Sequence, residues 1–314
     1  MRAVIARLAI ALAVAGCPQM PVGAPVPVAD IGPAARSCPR APTPPEYRFA
    51  AAAGLPPATQ AVIDGALAEW RHWGGQIVDY RAIDWARTRA VHDLVRPGVS
   101  DPESGSDDLV VPIIAVAGCW ENDPRMFRAL RDYWRPAQVW RPEMARRERY
   151  ADDLIDAAVA LSIARSPGWA EAWSAAFLSY LVTGVPPAGE FDYSRSHAEY
   201  VAAALAGARH RYAARPIASF APRPGDLICS YRNQSRREAW EPAMADWRLG
   251  PAHCDVVVAV ERADKAGRVF AVGGNIFQSV TVSVHALAGD GRFVDNRFRN
   301  WAVVLADRAS PGGL

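Results

Sequence analysis

The apolar residues change their period at about residue 222, and this change constrains the fold more than any other feature of the chain. Before it, apolar residues recur every three or four positions, as on one face of a helix. After it, short apolar runs alternate with turn residues, which is typical of strands. Helices followed by consecutive strands predict an α+β domain with an antiparallel sheet. The predicted strands are Asp226–Tyr231, Asp255–Glu261, Val269–Gly273, Val280–Ala286 and Trp301–Ala306.

The predicted helices differ in how much of their surface is apolar. Residues Thr59–Trp73 and Tyr150–Ala164 each have one apolar face, and His197–Arg211 is rich in alanine. Residues Trp173–Val182 are apolar almost all round, which indicates a helix buried on most sides. The run Leu109–Ala117 is predicted to be either a strand or the core of a buried segment.

The first residues have the form of an export signal. Arg2 and Arg7 accompany the apolar run Leu8–Ala15, which is shorter than the roughly 20 residues that a membrane-spanning helix needs. The run ends in Val-Ala-Gly-Cys17, which resembles a bacterial lipobox whose cysteine is lipidated; an ordinary signal peptide cleaved nearby is the alternative. We therefore predict a lipoprotein signal peptide over 1–17, a Pro/Ala-rich tether over 18–54 and one α+β domain over 55–310.

Charge and motif content argue against several classes of protein. The 35 basic and 33 acidic residues give a net charge of +2 without a dense basic stripe, so we expect no nucleic-acid partner. No zinc-like spacing and no phosphate-binding or dinucleotide-binding glycine motif is present, so we expect neither a metal nor a cofactor. Apart from Cys17, four cysteines can form three pairings or stay free; Cys229 with Cys254 is favoured because their predicted strands are neighbours.

Polar residues at three separate places could form one active site. Ser174 lies in the first turn of the buried helix, where unpaired N–H groups favour negative charge. His253 and Asp255 are one residue apart and project from the same face of a strand, and Asn275 follows two glycines after the next strand. We predict a hydrogen bond between Ser174 and His253, with Asp255 or Asn275 orienting the imidazole. Taken singly, the serine also fits a packing role, the histidine a strand-end hydrogen bond and the asparagine a turn.

These pieces together resemble the bacterial family named domain of unknown function 2272, over about Ala61 to Ala306. That family is similar to the NlpC-type and CHAP-type papain-like amidases, which cut peptidoglycan peptides. The resemblance implies a papain-like fold with N-terminal helices packed on a C-terminal antiparallel sheet. It places Ser174, His253 and Asn275 at the nucleophile, base and orienter positions, with serine where those amidases have cysteine. The matching pieces are Trp173-Ser174-Ala175-Ala176-Phe177, Phe191-Asp192-Tyr193-Ser194 with His197 and Tyr200, Arg223–Cys229, His253–Val258 and Gly273-Gly274-Asn275.

The resemblance implies a hydrolase that acts on an amide or ester of cell-wall peptidoglycan. A lipid at Cys17 would hold it in the bacterial envelope, on the periplasmic face of the outer membrane. The alternative is an inactive relative that binds a wall peptide or a protein partner in the same groove, and a purely structural lipoprotein is a third hypothesis. The residues expected to bind substrate are Trp173, Asp192, His197, Tyr200 and Asp255.

Overall fold

The structure is a computed structural model of the protein. The described residues fall within one compact unit, Pro33–Leu314. The predicted signal peptide with Cys17, the predicted helix Tyr150–Ala164 and Asp192 lie outside them. The described ranges are 38–81, 113–121, 123–126, 129–130, 132–134, 172–183, 185, 191, 193–207, 209–231, 252–264, 266–294 and 300–310.

A mixed α+β architecture is present, as the sequence predicts, with eight strands in one sheet. Among the described residues, the α-helices with defined bounds are α1 (Pro57–His72), α2 (Ser174–Thr183) and α3 (His197–Ala206); short 3-10 turns lie at Pro45–Tyr47 and Pro124–Met126. The strands are β1 (Gln76–Asp79), β2 (Ile113–Val116), β3 (Tyr212–Pro216), β4 (Leu227–Tyr231), β5 (Ala252–Glu261), β6 (Ala266–Ile276), β7 (Ser279–Ala288) and β8 (Asn300–Asp307).

The strand order is β2-β1-β7-β6-β5-β4-β8-β3. All predicted C-terminal strands pair antiparallel, but the sheet is not wholly antiparallel, because β1 runs parallel to β7. The strands β1 and β3, of four and five residues, do not figure among the predicted strands because runs this short carry little period-2 signal.

The three helices pack on one face of the sheet. On α1, the buried residues Val62, Ile63, Ala66, Leu67 and Trp70 recur at helical spacing, and they join the large apolar cluster of this face. The helix starts at a proline that fits the first turn. It ends before Gly74 and Gly75, whose φ angles of 91° and 77° leave the helical region.

The opposite face has a smaller apolar cluster built from Ile228, Val257, Ala271 and Val304, among others. Along β5, Cys254, Val256 and Val258 belong to the helix side, whereas Val257 belongs to the other side. Asp255 pairs in register with Ile228 and therefore shares its face. Asp255 thus points away from the side on which α2 packs, whereas His253, at the start of β5, has its ring close to that of His197 on α3.

A buried polar network fastens the helix layer to the sheet. Asp307 on β8 accepts hydrogen bonds from Thr59 on α1 at 2.8 Å and from Arg211 at 3.1 Å. Asp226, just before β4, accepts from the backbone N–H of Asp307 and of Arg223, both at 2.9 Å. Gly225 has a φ of 94°, and a Cβ there would lie 2.2 Å from the Thr59 side chain. The Gly225-Asp226 motif therefore has a structural role.

None of the described helices combines the length and the apolar character that crossing a membrane requires.

Stability should depend on pH through Asp226. Burial raises its pKa from 3.8 to about 7, although the two backbone N–H groups favour the ionised form. Between these values the folded state holds a proton that the unfolded state has lost, so the free energy of unfolding should fall as pH rises from about 4 to 7. The loss is on the order of 4 kcal/mol, since each pKa unit is worth about 1.36 kcal/mol.

Denaturant unfolding of wild type and Asp226→Asn from pH 4 to 8 measures this effect. The variant leaves one N–H facing an amide NH₂, which costs roughly 1–3 kcal/mol at every pH. The stability advantage of wild type over the variant should therefore shrink with rising pH. The exposed Asp264→Asn is the matched control. An advantage of wild type that stays constant over this range would contradict the prediction.

Candidate functional site

Ser174 is the first residue of α2, and the surrounding sequence determines this position. Phe177 donates its N–H to the carbonyl of Trp173 at 2.9 Å, so Trp173 caps the helix and Ser174 begins it. The N–H groups of Ser174, Ala175 and Ala176 precede the first intrahelical hydrogen bond and point out of the helix start. The serine is 3% exposed. The site therefore offers a hydroxyl and backbone donors in surroundings with little water.

The hydrogen-bond partner of Ser174 among the described residues is His197, not His253. The Ser174 Oγ and the His197 Nε2 are 2.9 Å apart. His197 is the first residue of α3 and is 3% exposed. The two helix starts thus face each other, and a residue expected to bind substrate contacts the expected nucleophile.

Tyr200 holds the two helix starts together. Its hydroxyl lies 2.7 Å from the carbonyl of Ala175 and 2.5 Å from that of Ser194, and its ring packs edge-on against His197. Burial raises the pKa of this tyrosine well above 10, so it stays a neutral donor. The sequence predicts that Tyr200 binds substrate. Because the residue is only 2% exposed, its role in the structure is to hold the two helix starts in position.

His253 and Asp255 form a second buried pair beside the first. The His253 Nε2 donates to Asp255 Oδ1 at 2.7 Å, and Ser283 on β7 donates to Asp255 Oδ2 at 3.2 Å. The rings of His253 and His197 are 5.2 Å apart between centroids and inclined by 59°. The buried Nδ1 of His253 has no hydrogen-bond partner among the described residues. With the hydrogen on Nε2, this nitrogen is the acceptor of the ring.

The Gly273-Gly274-Asn275 motif serves mainly to allow close packing. A Cβ on Gly273 would lie 1.9 Å from Asp255 Oδ1, and one on Gly274 would lie 2.8 Å from the Phe177 side chain. The two glycines let β6 approach the His253–Asp255 pair and α2 at consecutive residues. Asn275 has a φ of 57° at the strand end. Of the two predicted orienters, Asp255 is the one that hydrogen-bonds His253.

Trp173 anchors the start of α2 instead of lining an open groove. It is 1% exposed, it stacks on Trp73 at 5.1 Å, and its Nε1 donates to Glu121 at 2.8 Å. The backbone N–H of Glu121 donates to the carbonyl of Gln278 in the β6–β7 turn at 2.7 Å. Glu121 and Ser283 are site residues that no sequence motif indicated. For Ser283, the period-2 polar positions of β7 were an available signal.

Two disulfides join described residues. Cys229 and Cys254 are joined across β4 and β5, the pair favoured from the sequence, and Cys38 is joined to Cys119. Within the described parts of the chain, no group of three or more His, Cys, Asp or Glu side chains could hold a metal ion.

One protein family model matches the chain, over residues 123–306, more than half of its length. The family is described as an uncharacterized protein conserved in bacteria (DUF2272). The match includes α2, α3, β3–β8 and both histidines of the site. No curated protein and no solved structure is significantly similar to the chain.

Substitution of Gly273 should disturb the His253–Asp255 pair. The alanine Cβ of Gly273→Ala would overlap the Asp255 carboxylate, and overpacking of this kind costs roughly 1–3 kcal/mol. Gly65→Ala is the matched control, because its Cβ would meet Leu181 at an ordinary 3.4 Å and a helical alanine gains about 0.5–1 kcal/mol over glycine.

Thermal and denaturant unfolding would measure both substitutions. Adding Asp255→Ser should recover part of the loss in Gly273→Ala, because the smaller side chain removes the overlap; the two effects should then be non-additive. Equal stability of the two alanine variants would contradict this account of the motif.

Proposed function

We propose, on the premise that this chain belongs to the bacterial DUF2272 family, that it is an envelope-anchored hydrolase of the papain-like type. Its substrate is an amide or ester of cell-wall peptidoglycan, and Ser174 is the nucleophile. The observation that carries the proposal is the 2.9 Å hydrogen bond between Ser174 Oγ and His197 Nε2 at the start of a buried helix.

The geometry supports His197 as the base. When Ser174 Oγ attacks the substrate carbonyl, its proton passes to His197 Nε2. The same nitrogen returns the proton to the leaving amine or alcohol as the C–N or C–O bond breaks. Water then hydrolyses the acyl-serine ester by the reverse transfer. The N–H groups at the start of α2 stabilise the oxyanion, an arrangement in which one donor contributes about 2.7–4 kcal/mol.

His253 and Asp255 supply the electrostatic support. When His197 takes the proton it becomes an imidazolium. The His253 ring lies between this imidazolium and the Asp255 carboxylate. In a site with little water such a charge acts at a lower effective dielectric constant than in bulk solvent. We assign His253 to this supporting role, with Asp255 as its orienter.

The papain-like relationship and the substrate class are supported by the order of the motifs. A nucleophile at a helix start, a Gly-Asp-Leu strand, a strand opened by histidine and a following Gly-Gly-Asn are arranged as in the NlpC-type and CHAP-type amidases. We also propose that Cys17 is lipidated and attaches the protein to the periplasmic face of the outer membrane. A protein anchored there could reach the peptidoglycan of the cell wall.

The burial of the site favours a second function. Ser174 and His197 are each 3% exposed and His253 is fully buried, whereas a hydrolase must admit its substrate. A relative without activity would keep the same fold and bind a wall peptide or a protein partner in the groove that the sequence predicts. In that case the Ser174–His197 hydrogen bond only satisfies two buried polar groups.

Substitutions at Ser174 distinguish the two functions. With purified peptidoglycan as substrate, Ser174→Ala and His197→Ala should each reduce turnover by at least 10³-fold if the serine is the nucleophile, as in other nucleophile–base pairs. His253→Ala should cost less, about 10-fold to 100-fold, because it acts through His197. A fluorophosphonate should add to Ser174 in wild type, as detected by mass spectrometry, and not to Ser174→Ala.

Binding is measured in parallel by sedimentation with insoluble peptidoglycan. Inactive wild type that still binds, together with new activity in Ser174→Cys, would establish the binding function instead. If turnover survives both Ser174→Ala and His197→Ala, this site is responsible for neither function. Circular dichroism and melting temperature confirm that each variant is folded.

A further inference from the structure

A groove outside the candidate active site lies between α1 and the strap, which we define as residues 38–52. Its volume is about 670 Å³, within the range of small-ligand sites. None of its lining residues is acidic. Those that matter for binding are Arg40, Arg48, Arg71, Tyr47, Phe49 and Trp70.

The charge of this groove is not neutralised by the described residues. Arg40, Arg48 and Arg71 are exposed, and no described carboxylate forms an ion pair with any of them. By contrast, two nearby arginines have their charge neutralised by an ion pair: Arg81 pairs with Asp79, and Arg268 pairs with Glu261. The partial negative charge at the end of α1, about half an elementary charge, is small beside three guanidinium groups.

Contacts with Trp70 and Gly75 fix the position of Arg40 on the strap. The Arg40 guanidinium lies 5.0 Å from the centre of the Trp70 ring, and a Cβ on Gly75 would lie 3.3 Å from Arg40 Nε. The strap itself is fixed by the Cys38–Cys119 disulfide and by Phe49, which stacks on Phe270 at 4.5 Å. A groove already held in shape loses less conformational entropy on binding.

We infer that this groove binds a ligand that carries phosphate groups, a function independent of the proposed hydrolase. A phosphate monoester has a charge of about −1.5 to −2 and three acceptor oxygens, so one group can engage several guanidiniums. A carboxylate has one charge and suits a single bidentate arginine. The apolar walls at Phe49 and Leu67 fit an organic part of the ligand.

Two sources of phosphate are separated by experiment: a soluble phosphate compound and the headgroup of an anionic lipid. The full chain with Cys17→Ser is the common background, so that a lipid on the protein contributes nothing. Tripolyphosphate is titrated calorimetrically at about 50 mM and about 200 mM salt. In parallel, the protein is sedimented with phosphatidylglycerol vesicles and with phosphatidylcholine vesicles.

In this background, the double variant Arg40→Gln/Arg71→Gln should bind at least tenfold more weakly to whichever of the two probes the unsubstituted groove binds. Arg209→Gln with Arg262→Gln removes the same charge from exposed positions outside the groove and should change affinity less than twofold. Binding of tripolyphosphate identifies a soluble ligand, and binding of phosphatidylglycerol vesicles alone identifies a headgroup.

The inference is overturned if neither probe binds, or if the control pair loses as much affinity as the groove pair. Equal affinity for citrate and tripolyphosphate would also overturn the assignment to phosphate. All four substituted arginines are exposed, so each variant should keep the wild-type melting temperature, which is checked first.

Discussion

The structure depends on the burial of α2 on nearly every side. Its side chains Phe177, Leu178, Leu181 and Val182 are at most 6% exposed, and fully burying a side chain of this size contributes about 1.5–3 kcal/mol. The helix packs mainly on β5 and β6, and Gly274 leaves the space that Phe177 occupies. A helix fixed in this way cannot turn its first residue toward solvent, so Ser174 must find a partner inside the protein.

Two buried polar networks follow from the same rule, that a polar group removed from water needs hydrogen bonds. In the first, Asp307 and Asp226 accept from α1, from Arg211 and from the backbone, and all four of their carboxylate oxygens have donors. In the second, His253 donates to Asp255 but leaves its own Nδ1 without a described partner. The first network only stabilises the fold, whereas the second contains an acceptor nitrogen that no described residue uses. This difference is the reason to place chemistry at the second.

Much of the fold could be predicted because periodicity determines it. The buried face of α1, the all-round burial of α2 and the five C-terminal strands all follow from apolar spacing. The family could be predicted from motifs, and the match over residues 123–306 confirms it. The parallel pairing of β1 with β7 could not, since it joins strands about 200 residues apart and a four-residue run has no distinctive period.

The partner of Ser174 could not be predicted for a different reason. Alternation along β5 correctly placed His253 and Asp255 on one face but could not say which face meets α2. His197 lies on a second helix, and its orientation depends on how α2 and α3 pack and on the Tyr200 hydroxyl between their starts. Similarly, Gly273 marks a close approach that becomes visible only when Asp255 is placed opposite it.

In the hydrolase that we propose, serine at the nucleophile position makes the Ser174–His197 contact more important than it would be for cysteine. A thiol with a pKa near 8.5 can be ionised by a helix start and a nearby imidazole. A serine hydroxyl cannot, because a dipole contribution of about 1 kcal/mol is far too small to stabilise a resting alkoxide. Serine must therefore lose its proton during attack, to a base already within hydrogen-bond distance. His197 meets that requirement at 2.9 Å, and His253, which hydrogen-bonds Asp255 instead, can only act through it.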